Sequence, residues 1–132
     1  MNERISVLIV EDEEHIRDVL EYNLKFDGFE VHLAANGRDA LEIARTLQID
    51  VVLLDWMMPD MDGLKVLYEL RQDPKTQNIP VFMLTAKAAV GDVEQALHSG
   101  ASDYITKPFD PMLLGRIIIR KLKKCATQTP AG

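Results

Sequence analysis

Three carboxylates stand where strands should end. Glu11 and Asp12 follow the run Ile5-Ser-Val-Leu-Ile-Val10, and Asp55 follows Val51-Val-Leu-Leu54. Runs apolar at nearly every residue suit strands covered on both faces, as in a parallel α/β sheet. Pro59 and Gly63 break the pattern after Asp55. In such sheets ligands bind at the carboxyl ends of the strands. An Asp there serves equally well to cap or turn the strand end. Two strand ends carrying acids suggest a shared cation site with hard oxygen ligands. Glu13, Glu14 and Asp18 need no such role, because acids are favoured in the first turn of a helix.

Two further groups fall at equivalent places. Thr85 ends the run Val81-Phe-Met-Leu-Thr85-Ala86, and Lys107 follows Asp103-Tyr-Ile-Thr106. A Thr at such a point also suits an N-cap or a local hydroxyl bond, and a lone Lys is usually just exposed. On one rim, however, the five residues form a chemical set. The acids hold a divalent cation, and the cation and Lys107 neutralise charge on an incoming phosphoryl group. Asp55 can attack phosphorus, since carboxylates form aspartyl-phosphates. Mg2+ suits this, because it binds through one or two carboxylates, waters and phosphate oxygens; Mn2+ would substitute.

The elements that must position this set alternate regularly. The first strand is Ile5–Val10. A first helix carries Ile16, Val19, Leu20, Asn23 and Leu24 on one face and stops at Gly28, a natural C-terminal glycine. Phe29–Ala35 alternates apolar and polar residues, which suits an edge strand. His15 and His32 lack metal-spaced partners and read as surface residues. The second helix runs from Arg38 to Leu47, with Ala40, Leu41, Ala44 and Leu47 facing inward. The third begins at Gly63 and buries Leu64, Leu67 and Leu70; the polar stretch Asp73–Pro80 ends it. Met57, Met58 and Met61 suit an adaptable binding surface or ordinary packing. The fourth helix is irregular at Ala88-Ala-Val-Gly91 and has a short stripe of Val93, Ala96 and Leu97, ending near Gly100. The fifth strand is Asp103–Pro108. Pro111 opens a fifth helix with Leu113, Leu114, Ile117, Ile118 and Leu122 on its apolar face and Ile119 off it. Five strands alternating with helices imply a parallel sheet with right-handed crossovers, covered on both faces.

The bulk numbers agree with one domain. The 132 residues are 47% apolar, 27% charged and 6% aromatic. No run approaches the length needed to span a bilayer, and Met1-Asn-Glu-Arg4 lacks the layout of a signal peptide. A single cysteine, Cys125, excludes an internal disulfide and a cysteine-cluster metal site, and fits a reduced, cytoplasmic setting. The net charge of −6 is uneven: residues 111–132 hold Arg116, Arg120, Lys121, Lys123 and Lys124 with no acid, so residues 1–110 carry −11. An acidic body disfavours non-specific nucleic-acid binding, and the basic helix reads as a solvated face with cations near its C-terminus. Residues 1–125 are expected to form the domain, and 126–132 a tail or the start of a linker.

The sequence resembles a response regulator receiver domain of bacterial two-component signalling over about residues 5 to 124. The resemblance rests on Glu11-Asp12, Asp55-x-x-Met-Pro-x-x-x-Gly63, Thr85-Ala86, Lys107-Pro108 and Tyr104. It implies a flavodoxin-like (βα)5 doubly wound fold, five parallel strands in the order 2-1-3-4-5. It implies that Asp55 accepts a phosphoryl group from a sensor histidine kinase or phosphotransfer protein. Asp12, Asp55 and the Met57 carbonyl would ligate Mg2+, with Glu11 reaching it through water. Lys107 would bind a phosphoryl oxygen, the small Ala86 would leave access, and the Lys107–Pro108 bond would be cis. Thr85 would move to the phosphoryl group, and Tyr104 would rotate into the vacated space, repacking the surface of helix 4, strand 5 and helix 5. Trp56 should report Mg2+ and phosphoryl mimics by fluorescence, and positions Met57 and Lys87 would tune the lifetime of the aspartyl-phosphate.

Tyr104, Trp56 and Asp103-Tyr-Ile-Thr-Lys-Pro-Phe109 look like receivers of winged-helix transcription factors, which dimerise through helix 4, strand 5 and helix 5 using ion pairs. Here Met112-Leu-Leu-Gly115 lacks the expected acid and Val93 replaces a cation, so a contact at Ile119 would be more apolar. Two other classes stay open. An aspartyl-phosphate phosphohydrolase would carry a general acid two residues after the nucleophile, where Met57 stands. A phosphorylation-independent interaction module would show erosion of the acid pair, Asp55, Thr85 or Lys107. The reading is therefore a phosphorylatable switch that catalyses only its own phosphotransfer and dephosphorylation.

Overall fold

The computed structural model describes residues 4–58, 62–86 and 90–127, with the backbone alone at Val90 and Thr127. The chain alternates β1 (Ser6–Val10), α1 (Glu14–Phe26), β2 (Glu30–Ala34), α2 (Gly37–Thr46), β3 (Val51–Asp55), α3 (Gly63–Gln72), β4 (Val81–Thr85), α4 (Val90–His98) and β5 (Asp103–Thr106). A 3-10 turn at Pro111–Leu113 leads into α5 (Leu114–Thr127). All strand pairs are parallel and the order is β2-β1-β3-β4-β5, as expected from the sequence. Every residue of β1, β3 and β4 is buried, as their unbroken apolar runs require, while edge strand β2 is partly wet.

Two cores lie on the two faces of the sheet. Val7, Ile9, Leu53, Phe82, Leu84 and Ile105 pack with Leu20 and Leu24 of α1 and Leu114 and Ile118 of α5. Leu8, Val10, Leu54 and Met83 pack with residues of α2, α3 and α4. The alternation along each strand decides which core a residue joins. Asn36 caps α2 by accepting from the Asp39 N–H at 2.8 Å. Gly28 follows α1 at φ 95°, a backbone conformation that favours glycine.

Several side chains depart from the expected faces. Leu47 is exposed because α2 ends at Thr46 and the next residue turns extended. In α3 Val66 replaces the half-buried Leu64 in the buried set, with Leu67 and Leu70. Leu113 is exposed because it lies in the 3-10 turn rather than on the α5 face, whose buried residues include Leu114 and Ile118. Leu97 is exposed, which reduces the α4 stripe to Ala96 and the half-buried Val93. Strand β5 stops at Thr106, one residue before Lys107. Pro59, Met61, Lys87 and the tail from 128 to 132 lie outside the described residues.

Candidate phosphoacceptor site

Register brings the strand-end groups together. Val10 pairs with Leu54, so Glu11 and Asp55 come next to each other on adjacent strands. Ile9, Leu53 and Ile105 all face the α1–α5 core, and Glu11, Asp55 and Lys107 stand two residues beyond each. Period-two alternation therefore sends all three toward one face of the rim. Thr85 follows Met83 onto the opposite face, the one Tyr104 also packs against. The ladder continues one residue past each strand: Glu11 N–H donates to Ala34 O at 3.0 Å, Trp56 to Leu84 O at 3.1 Å, and Lys107 to Thr85 O at 2.8 Å. The Lys107–Pro108 peptide is cis.

The β3–α3 connection depends on a glycine. Gly63 N–H donates to Trp56 O at 2.9 Å. A Cβ at Gly63 would lie 2.6 Å from the Asp55 carbonyl oxygen and 2.8 Å from Trp56 Cα, so only glycine lets α3 start this close to the site.

At the rim, Glu11, Asp12 and Asp55 offer carboxylate oxygens that all lie within 4.8 Å of one another. Glu11, Asp55 and Thr85 are buried, and Asp12 is half-buried. Lys107 Nζ donates to Asp55 Oδ1 at 3.2 Å and to Glu11 Oε1 at 3.5 Å. The Met57 N–H also points to Asp55 Oδ1, at 3.3 Å. Burial, and then the Asp55 charge, pushes the Glu11 carboxyl up to about 7. Burial alone would pull the Lys107 ammonium down, but Asp55 and Glu11 outweigh it and hold it above the ordinary lysine value. Clustered carboxylates with one facing ammonium leave excess negative charge in a largely buried pocket. That donor set fits a hard divalent cation.

Other residues lie where the sequence left choices. Met57 is exposed and Met58 belongs to the core on the α2–α4 side, as does the buried Trp56. Ala86 and Lys107 form one end of a groove of about 430 Å³ that continues along α1. Tyr104 is half-buried, with Lys121 Nζ 5.8 Å from its ring centroid. Arg17 was not singled out from sequence, yet its Nη1 donates to the Glu11 and Asp12 carbonyls at 2.8 and 2.9 Å and so fixes the turn carrying both acids. The only available signal was a cation near the inward stripe of the first helix.

The family model for the response regulator receiver domain matches residues 7–119. The chain belongs to that family. Its receiver fold is shared with the chemotaxis response regulator CheY4 of Vibrio cholerae, at a TM-score of 0.85 and 31% identity, over 90% of this chain and 99% of that one. The receiver domain of a sensor histidine kinase from Pseudomonas aeruginosa PAO1, solved with a magnesium ion in its active site cleft, matches at 0.81 and 34% identity, over 92% and 99%. Among curated proteins, the DNA-binding dual master transcriptional regulator RpaA of Synechocystis is 43% identical over 104 residues, covering 79% of this chain and 43% of that protein. The chain spans less than half the length of such curated relatives. The receiver's acidic pocket of Glu11, Asp12 and Asp55 fits a phosphoacceptor site. Among the described residues no helix is long and apolar enough to cross a membrane.

Proposed function

We propose that Asp55 accepts a phosphoryl group from the phosphohistidine of a sensor histidine kinase or phosphotransfer protein. The observation that carries this is the convergence of three carboxylates on one point with Lys107 3.2 Å from Asp55. A carboxylate oxygen of Asp55 forms the new bond to phosphorus as the phosphorus–nitrogen bond breaks, and the electron pair leaves with the imidazole nitrogen. Lys107 moves from pairing Asp55 to pairing a phosphoryl oxygen, keeping its charge throughout. Ala86 leaves the approach open. Glu11, Asp12, Asp55 and the Met57 carbonyl would hold Mg2+ (or Mn2+). Such an ion, when bound, neutralises charge developing on the phosphoryl oxygens. The same residues support the domain's own dephosphorylation, and Met57 supplies no general acid for turnover of other substrates.

The switch follows from the two faces of the rim. A phosphoryl group brings roughly two negative charges and strong acceptor oxygens. The Thr85 hydroxyl turns to donate to it, and Tyr104, on the same face, moves inward, repacking the α4–β5–α5 surface for an output domain or partner. A homodimer through that surface would rest on Leu97 and Leu113, 45% and 46% exposed, since Asp103 already pairs with Lys121 within the chain at 3.1 Å. Direct nucleic-acid binding is not part of this reading, and a cytoplasmic setting suits it.

Incubation with acetyl phosphate and Mg2+ followed by intact mass tests the acceptor. One added phosphoryl on the parent and none on Asp55→Asn is the expected result. An adduct on both would place the acceptor elsewhere.

A further inference from the structure

Helix α5 reaches across the edge of the sheet through one side chain. Strand β5 is last in the sheet order, so one flank of it is open. Ile105 joins the core beneath α1 and α5, while Tyr104, paired with Met83, packs against the core on the α2–α4 side. Lys121 belongs to α5, on the opposite face. Its Nζ nevertheless lies 5.8 Å from the centroid of the Tyr104 ring. A side chain from α5 can meet that ring only around the open flank of β5. The Tyr104 ring therefore stands at the sheet edge. There it borders, with Lys121, Asp103, Ile117 and Phe109, a depression of about 540 Å³.

Asp103 fixes the ammonium in this place. Its Oδ2 accepts from Lys121 Nζ at 3.1 Å, and its Oδ1 accepts from the Tyr104 N–H at 2.8 Å. The carboxylate is thus held on both oxygens, and both charged side chains are partly buried. A cation within about 6 Å of an aromatic centroid is attracted by the negative face of the ring, more strongly where water is partly excluded. Moving inward, toward the space beside Thr85, would take the ring away from Nζ, and Asp103 keeps the ammonium from following.

We propose that Lys121 is a positioning residue of the switch: fixed by Asp103, it holds the Tyr104 ring outward and so sets how readily the domain takes a phosphoryl group. This rests on the Tyr104 switch described above. A phosphoryl group favours the ring inside, so its apparent affinity scales with the fraction of molecules already in that arrangement. Lys121 keeps that fraction low.

Beryllofluoride with Mg2+, a stable phosphoryl mimic, is the probe. Its Kd is measured by calorimetry in the parent, Lys121→Met, Lys121→Gln and Lys121→Arg, with circular dichroism to check that each is folded. The Tyr104 ring is followed by NMR with ring-labelled tyrosine, its signal assigned through Tyr104→Phe. That signal should shift when the parent is saturated. Removing a cation would, by Coulomb attraction alone, weaken the binding of an anion. Release of the ring predicts the opposite sign. Lys121→Met and Lys121→Gln should bind about two- to fivefold tighter, and Lys121→Arg, which keeps the cation, should match the parent. In a Tyr104→Ala background Lys121→Met should bring no tightening. A responding ring with unchanged or weaker binding in Lys121→Met overturns the role of Lys121 alone. So does tightening that persists without the Tyr104 ring. A parent that does not bind beryllofluoride, or whose ring ignores it, overturns the switch and the role of Lys121 with it.

Discussion

Helices α3 and α4 lie on the same face of the sheet, beside the same rim, and are held very differently. Asp62 caps α3 by accepting from the Leu64 N–H at 3.0 Å, and α3 buries Gly63, Val66, Leu67 and Leu70. Its far end is tied by Thr76 Oγ1, which donates to Leu70 O at 2.6 Å. Arg71 adds bonds to Gly100 O at 2.9 Å and Ile79 O at 2.8 Å. Among the described side chains of α4, Ala96 alone is buried. Its C-terminal end is well closed: Ala101 N–H donates to Ala96 O at 3.0 Å and Gly100 N–H to Leu97 O at 3.1 Å, with Gly100 at φ 110°. Three large apolar side chains at about 2 kcal/mol each outweigh one methyl. So α3 is scaffold, fixed where Gly63 touches the Asp55 backbone. By contrast, among its described side chains α4 is anchored at its C-terminal end and lightly packed elsewhere, which is what the proposed shift would require.

The contrast can be broken by substitution. Leu67→Ala should cost about 3 kcal/mol in urea denaturation, because it opens a cavity under α3. Gly63→Ala should cost about 2 kcal/mol and also slow phosphorylation, since the added methyl must push Asp55 or Trp56 aside. Thr76→Val should cost about 1.5 kcal/mol by removing the buried hydroxyl bond to the end of α3. Leu97→Ala, on α4, should change stability by less than about 0.5 kcal/mol. Equal losses at Leu67 and Leu97 would erase the distinction. Tyr104→Ala sharpens it from the other side: phosphorylation by acetyl phosphate should persist, while phosphorylation-dependent partner binding is lost.

The chemical groups of the rim were legible because each follows an apolar run whose end is marked in the sequence. Runs buried on both faces imply a parallel sheet, and a parallel sheet puts strand ends on one rim. Glu11, Asp55 and Lys107 met for that reason. What escaped were residues whose side chains bond backbone carbonyls five or six residues away, a spacing that no periodic pattern marks. Arg17 binds two carbonyls of the β1–α1 turn, and Thr76 ties off α3 from inside a stretch that reads as a polar connection. Periodicity also misplaced Leu113, since a 3-10 turn changes the step between residues just before α5 begins. The looseness of α4 was half-visible in Gly91 and the short apolar stripe. Only the structure reduces its buried anchorage to Ala96 among the described side chains.

Hydrogen exchange with and without acetyl phosphate and Mg2+, with Asp55→Asn alongside, tests the account most directly. Phosphorylation should change protection along α4 and β5, leave α3 as it was, and have no effect in the variant. A phosphorylated protein whose α3 changes as much as α4, or in which neither changes, would contradict it.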